Sequence, residues 1–228
     1  MNKSKVDFDE FTDNYNSLLR DSTGFFTESE AYFARYKVDI LRREVSSNAK
    51  RVLEYGCGIG RNIPFLRAAF PEAKITGTDI SNASLDIARQ ENPGVEFFTE
   101  YSESSILGLY DVIFIAGVFH HIPPVERARV MKMLYQRLAP GGTILIFEHN
   151  PYNPVTRKIV NDCPYDKDAV LLKPSNLKNI LVNAGFSVSN YSYCLFVPPS
   201  FSLLLPLETK LGWLPLGGQY WVKANHAR

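Results

Sequence analysis

Val52-Leu53-Glu54-Tyr55-Gly56-Cys57-Gly58-Ile59-Gly60 is the stretch that decides the fold. Arg51–Tyr55 is a short apolar run, read as a buried strand, and it ends on three alternating glycines. Arg61–Phe70 continues with helical spacing. Glycine lets the backbone turn sharply and lets a ligand approach the main chain. The helix start beyond it offers the positive end of a peptide dipole. A G-x-G pattern alone is weak. Here Asp79 lies nineteen residues past Gly60, at the end of the next strand, Lys74–Ile80. That is where an acidic side chain can hold a ribose diol.

Working outward, Val95–Phe98, Tyr110–Val118 and Gly142–Glu148 read as further strands. Asn82–Asn92 and Pro124–Leu138 read as the helices between them. In the second helix Val125, Ala128, Met131, Leu134 and Leu138 recur at helical spacing, with Pro123-Pro124 starting it and Pro140-Gly141-Gly142 stopping it. Five strand–helix alternations predict an α/β fold, a doubly wound Rossmann-like parallel sheet with helices on both faces. Residues 1–48 read as a helical cap, with Tyr32, Tyr36, Ile40 and Leu41 on one face of Ser29–Val45. Phe11, Tyr15, Phe25, Phe26, Tyr32, Phe33 and Tyr36 form either an apolar lid or the buried face of a helix. Residues 49–228 form the core. After Glu148, His149–Lys158 reads as a loop. A helix carrying Leu177, Ile180, Leu181 and Ala184 then closes at Gly185, and Ser187–Val197 and Gly218–Ala224 are two late strands.

The chain has 228 residues, 45% hydrophobic and 21% charged, with 25 Lys and Arg against 24 Asp and Glu. A net charge of +1 supplies no field that would draw it onto nucleic acid. Cys57, Cys163 and Cys194 lie far apart with no C-x-x-C pair, so a reducing, cytoplasmic setting is expected and no metal site. Residues 179–207 carry no charge, yet Pro198, Pro199 and Pro206 break any membrane-spanning helix. The segment 198–216 reads as an apolar insertion: a flap on the sheet, a contact between copies, a wall for an acceptor, or a peripheral membrane contact.

A dinucleotide fingerprint, G-x-G-x-x-G, needs a third glycine where this chain has Arg61. E-x-G-x-G-x-G suits a ligand without a diphosphate, S-adenosylmethionine. The blocks VLEYGCGIG, TGTDIS, YDVIFIAGVFHHIPP, LAPGGTILI and LKNILVNAGF, spanning residues 50–190, together resemble class I S-adenosylmethionine-dependent methyltransferases of the small-molecule type. The resemblance implies a seven-stranded sheet, mostly parallel, with an antiparallel last strand. It implies that Glu54 orients the glycine turn and meets the methionine part, that Gly56, Cys57, Gly58 and Gly60 line the cofactor, that Asp79 holds the ribose, that Ile80 packs on adenine, and that the Ala116 carbonyl meets the methionine amine. Where relatives read the adenine edge with Asp, this chain has Glu100 and Tyr101, and the reader is left open.

Ligands in open α/β sheets bind beyond the carboxyl ends of the strands. His120 and His121 follow the fourth strand there, and His149 follows the fifth. His149 and His121 are the candidate general bases. The N-P-P-Y-like motif of nucleic-acid methyltransferases is replaced by Gly117–His121. The expected activity is methyl transfer to an O, N or C atom of a small-molecule or lipid-like acceptor, by a monomer or homodimer. The alternatives are a nicotinamide-dependent oxidoreductase and a non-catalytic S-adenosylmethionine-binding protein.

Overall fold

Strand residues alternate between two faces, so consecutive apolar residues demand burial on both. The computed structural model, which describes residues 6, 9, 30–100 and 108–226, meets that demand. Helix α1 (Glu30–Glu44) precedes β1 (Arg51–Tyr55), α2 (Ile63–Ala69), β2 (Lys74–Asp79), α3 (Asn82–Glu91), β3 (Glu96–Thr99) and β4 (Tyr110–Ala116). Then come α4 (Arg127–Arg137), β5 (Leu138–His149), α5 (Pro154–Asp162), α6 (Pro174–Ala184), β6 (Phe186–Cys194), α7 (Leu205–Leu211) and β7 (Gln219–His226). The strands form one seven-stranded sheet in the order β3-β2-β1-β4-β5-β7-β6. β1 to β5 pair in parallel, and β7 lies antiparallel between β5 and β6.

Two cores result. Val52, Val112, Phe114, Leu145 and Phe147 pack on one face with Leu41 of α1, Leu66 of α2 and Leu85 of α3. Leu53, Ile113, Ile115, Ile144 and Ile146 pack on the other with Met131 and Leu134 of α4 and Leu177 and Leu181 of α6. The strand order reverses between β1 and β4, and that switch point opens the crevice described below.

Three sequence expectations need correction. Val125 is 89% exposed, because α4 begins only at Arg127 and Val125 sits in the turn before it. Pro140-Gly141-Gly142 does not end the helix; the helix ends at Arg137, and β5 starts at Leu138 with irregular register against β4. His149–Lys158 is not all loop, since α5 starts at Pro154. Its cap is Asn153, whose side-chain oxygen accepts from the Val155 and Thr156 N–H groups, with Pro at the first helical position. Phe11, Tyr15, Phe25, Phe26 and Tyr101 lie outside the described residues. Tyr32, Phe33 and Tyr36 pack against the first core.

Among the described residues no helix is long and apolar enough to cross a membrane. The segment 198–216 folds into a short 3₁₀ stretch (Pro199–Leu204) and α7. Part of it lies on the sheet: Leu205, Leu211 and Leu214 are half-buried, and the Gly212 carbonyl accepts from Tyr193 N of β6 at 2.8 Å. Phe201, Leu204, Leu207 and Leu216 are exposed, Leu203 is 92% exposed, and Trp213 is 75% exposed.

Candidate functional site

The glycine turn requires glycine at each of its three positions. Gly56, Gly58 and Gly60 have φ of 71°, 53° and 79°, a region that L side chains avoid. Each is also different in its surroundings. A Cβ at Gly56 would collide with Val118, and one at Gly60 would press on Asn92 and Ala88 of α3. A Cβ at Gly58 would enter open space. That space is a cavity of about 330 Å³ lined by Gly56, Cys57, Gly58, Asn62, Asp79, Ile80, Ala116, His121 and His149, among others. Gly60 is not among its walls; it serves helix packing.

Asp79 ends β2 with both carboxylate oxygens engaged, Oδ2 accepting from Gly58 N at 2.7 Å and Oδ1 from Ser81 N at 2.9 Å. Burial raises its carboxyl, against the stabilisation from those N–H groups. Glu54 is buried beside the turn. Its Oε1 accepts from Asn62 Nδ2 at 2.5 Å, and its Oε2 has no hydrogen-bond partner. Burial pushes the Glu54 carboxyl up to about 8, against the pull of Asn62 and Lys37. Cys57 is buried and its thiol is held protonated by burial and by Glu54, which removes it as a nucleophile.

These residues fit S-adenosylmethionine. Its aminoacid end carries an ammonium, and Glu54 Oε2 is a buried carboxylate oxygen lacking a donor. The open side of Gly58 admits a ligand to the main chain. Glu100, beside the expected adenine reader, accepts from the Tyr55 hydroxyl at 2.9 Å, and both line the cavity.

At the other wall the histidines converge. Glu148 is fully buried and accepts from Val118 N, Phe119 N and His120 Nδ1, the last at 2.7 Å. A carboxylate so supplied stays ionised, and His120 holds it below its ordinary range despite burial. Burial would lower His120, but Glu148 and Asp166 outweigh it and raise the ring to about 9. His149, half-buried, lies 4.9 Å from the His120 ring, centroid to centroid. Burial and the His120 charge push it down to about 4. It is a neutral imidazole at neutral pH and a weak base. His121 meets Asp166 through Nε2 at 3.3 Å and Asp168 through Nδ1 at 3.2 Å, and Tyr165 packs edge-on against its ring.

Sequence reasoning missed Asn62, Lys37, Tyr55, Asp166 and Asp168. Asn62 was findable. It stands where a helix N-cap is expected, yet its side chain makes no cap bond and turns to Glu54 instead. Lys37 of α1 lines the cavity with no hydrogen bond among the described residues, and burial lowers its ammonium. Asp166 stands some forty-five residues beyond the histidine pair, a spacing with no local signal.

Comparison with known proteins agrees with this geometry. The methyltransferase domain family matches residues 29–190. The trans-aconitate 2-methyltransferase of Methylobacterium nodulans is 30% identical over 138 residues, covering 58% of this chain and 52% of that protein. The chain spans about half the length of the curated relatives it matches. A SAM-dependent methyltransferase from Archaeoglobus fulgidus superposes with a TM-score of 0.69 at 18% identity, covering 93% of this chain and all of that one. The magnesium protoporphyrin IX methyltransferase of Synechocystis, with bound SAH, superposes with a TM-score of 0.63 at 18% identity, covering 96% and 97%. The likenesses establish the Rossmann-like methyltransferase fold, and the match over most of its length establishes the rest: the chain belongs to the methyltransferase domain family, as a class I S-adenosylmethionine-dependent member.

Proposed function

We propose that the protein transfers a methyl group from S-adenosylmethionine to a small-molecule or lipid-like acceptor at an O, N or C atom, with oxygen favoured. One observation carries this reading: Gly56, Gly58, Asp79, Ala116, His121 and His149 line one cavity, and Glu54, whose Oε2 has no hydrogen-bond partner, is held through its Oε1 by Asn62, itself a wall of that cavity. Glu54 would take the cofactor's ammonium, Gly56 and Gly58 would run beside its aminoacid end, and Asp79 would hold its ribose. Ile80 would pack on the adenine, and the Ala116 carbonyl would meet the amine. When bound, S-adenosylmethionine supplies an electrophilic methyl group and a neutral thioether leaving group.

The chain's own work is alignment and exclusion of water. Phe33, Ala34 and Lys37 of α1 close one side of the cavity, which supports reading residues 1–48 as a cap on the core 49–228. Lys37 lines the cavity, where its amine would meet a carboxylate of an acceptor such as trans-aconitate, the substrate in the name of the relative from Methylobacterium nodulans. A carboxylate acceptor needs no base. For a hydroxyl acceptor, His149 is the candidate base: its ring is neutral and makes no hydrogen bond among the described residues, whereas both ring nitrogens of His121 already meet aspartates.

A lipid-like acceptor is supported by the exposed apolar side chains of 198–216, which form the candidate membrane contact. Three cysteines with no C-x-x-C pair suit a cytoplasmic setting. The test is calorimetric titration with S-adenosylmethionine, followed by incubation with labelled cofactor and an extract fractionated into small molecules and lipids. Saturable binding and a labelled small product are expected. Saturable nicotinamide binding would return the oxidoreductase reading, and cofactor binding with no labelled product in any fraction would favour a non-catalytic role.

A further inference from the structure

His120, His121 and Asp166 present one ligand atom each, and these atoms all lie within 4.8 Å of one another. His120 Nε2 is 3.6 Å from Asp166 Oδ1, and His121 Nε2 is 3.3 Å from the same oxygen. With metal–nitrogen bonds of about 2.0–2.1 Å, ligand atoms in a tetrahedral site are roughly 3.3–3.4 Å apart. The two nitrogen–oxygen spacings therefore match neighbouring ligands around one ion, and the third, nitrogen to nitrogen, lies within 4.8 Å, so that an ion would draw the two rings together.

The other ring nitrogens carry the second half of the argument. His120 Nδ1 donates to Glu148 at 2.7 Å, and His121 Nδ1 donates to Asp168 at 3.2 Å. Both imidazoles are thus turned the same way, Nδ1–H to a carboxylate and Nε2 to the shared point. Metal-ligating histidines are held in this manner, because the carboxylate fixes the tautomer and strengthens the ligand. Glu148 is itself fixed by the Val118 and Phe119 N–H groups, and Asp168 accepts from Val6 N.

The two segments that meet here are locked together. Val170 N donates to the His120 carbonyl at 2.8 Å. Arg127 donates from Nε to the Ile122 carbonyl at 2.8 Å and from its terminal nitrogen to the Val170 carbonyl at 2.7 Å. Asp166 closes a 3₁₀ turn, and Ala169 N donates to its carbonyl. The carboxylate is held opposite the histidines by backbone bonds rather than by its charge alone. All three residues line the cavity.

We propose that His120, His121 and Asp166 hold a divalent transition-metal ion, of the zinc, iron and manganese group, at the acceptor end of the cavity. Two imidazoles and one carboxylate on one side leave the remaining coordination positions to the cavity, the arrangement of catalytic rather than structural sites. Its ligand there is an acceptor with an anionic or ionisable oxygen, a carboxylate or a hydroxyl. The nature of that ligand rests on the methyltransferase reading; the ion site itself does not.

The experiment uses the full chain after treatment with a chelator. Zn²⁺, Mn²⁺ and Mg²⁺ are titrated by calorimetry, Co²⁺ by visible absorption, and S-adenosylmethionine binding is measured on the same samples. One Zn²⁺ or Co²⁺ per chain is expected, with nitrogen and oxygen ligand-field bands and no thiolate charge-transfer band, and with Mg²⁺ far weaker. His121→Ala and Asp166→Ala lose the ion, and Asp168→Asn weakens it about 10–100-fold. Near-UV circular dichroism reports the fold of each variant; His121→Gln replaces one that unfolds. No uptake by wild type, a thiolate band, or equal uptake by wild type and folded variants overturns the site. Metal uptake with no S-adenosylmethionine binding sinks the cofactor reading instead.

Discussion

Asn62 donates to one oxygen of the Glu54 carboxylate at 2.5 Å and leaves the other without a partner inside the glycine turn. A buried carboxylate satisfied on one side is costly to ionise, so its carboxyl is raised from 4.5 to about 8. In the unfolded chain the group ionises near 4.5, while in the cofactor-free fold it keeps its proton until about 8. The folded state binds the extra proton between those values, so this group's contribution is fully present below about 4.5 and is lost as pH rises through 8. Stability of the cofactor-free protein is expected to fall across that window in denaturant titrations. Glu54→Gln flattens the slope. An ammonium placed against the free oxygen restores ionisation, so S-adenosylmethionine affinity rises with pH over the same window, with proton release measurable in buffers of different ionisation heat. A pH-independent affinity in wild type would contradict this placement.

Asp79 holds the turn as well as offering itself to a ribose. Its oxygens accept from Gly58 N and Ser81 N, so Asp79→Ala leaves two backbone donors unpaired at the cofactor wall. S-adenosylmethionine binding is expected to weaken by roughly tenfold or more, about 1.4 kcal/mol. Asp79→Asn keeps one acceptor and falls between alanine and wild type. Calorimetry on folded variants decides it; unchanged affinity in Asp79→Ala removes the ribose role.

Gly56→Ala meets two obstacles, a φ of 71° and the Val118 side chain. The first cannot be relieved and the second can. The substitution is expected to cost about 1–3 kcal/mol of stability, and Val118→Ala in the same chain to recover part of it. A double-mutant cycle by denaturant unfolding measures the coupling; strictly additive losses would show that the contact does not matter.

β4 and β5 were legible as nearly continuous apolar runs, β1 to β3 from short runs alternating with helical stretches, and the glycine turn because its constraint is local. Asp79 was legible from its spacing alone. The histidine wall was legible only in halves: His120, His121 and His149 sit at strand ends, but Asp166 and Asp168 reach them through tertiary pairing between Val170 and His120. Helix α5 carried readable signals in Asn153 and Pro154, which the neighbouring prolines obscured. Val125 fitted the helical period and still lies in solvent, because period reports which face a residue would take and not where the helix begins.

Glu208 of α7 anchors the apolar connection. Its Oε1 accepts from Phe196 N at 2.5 Å and Val197 N at 3.1 Å, and its Oε2 accepts from the Tyr36 hydroxyl of α1 at 2.8 Å. Tyr36 in turn accepts from Leu195 N at 3.2 Å. One buried side chain therefore ties the connection to the cap helix, while Phe201, Leu204 and Trp213 contribute exposed surface. Glu208→Ala strands three donors and is expected to lower stability by about 1–3 kcal/mol. It should also speed proteolysis within 198–216. Glu208→Gln retains a carbonyl for the two N–H groups and is expected to be mild. Replacing Phe201, Leu204 and Trp213 with Ser should leave the unfolding midpoint nearly unchanged, since exposed side chains stabilise little. If this surface meets a membrane, the same triple variant loses co-sedimentation with anionic vesicles that wild type shows. Wild type remaining in the supernatant would exclude the membrane contact and leave the connection as a flap on the sheet, a wall or a contact between copies.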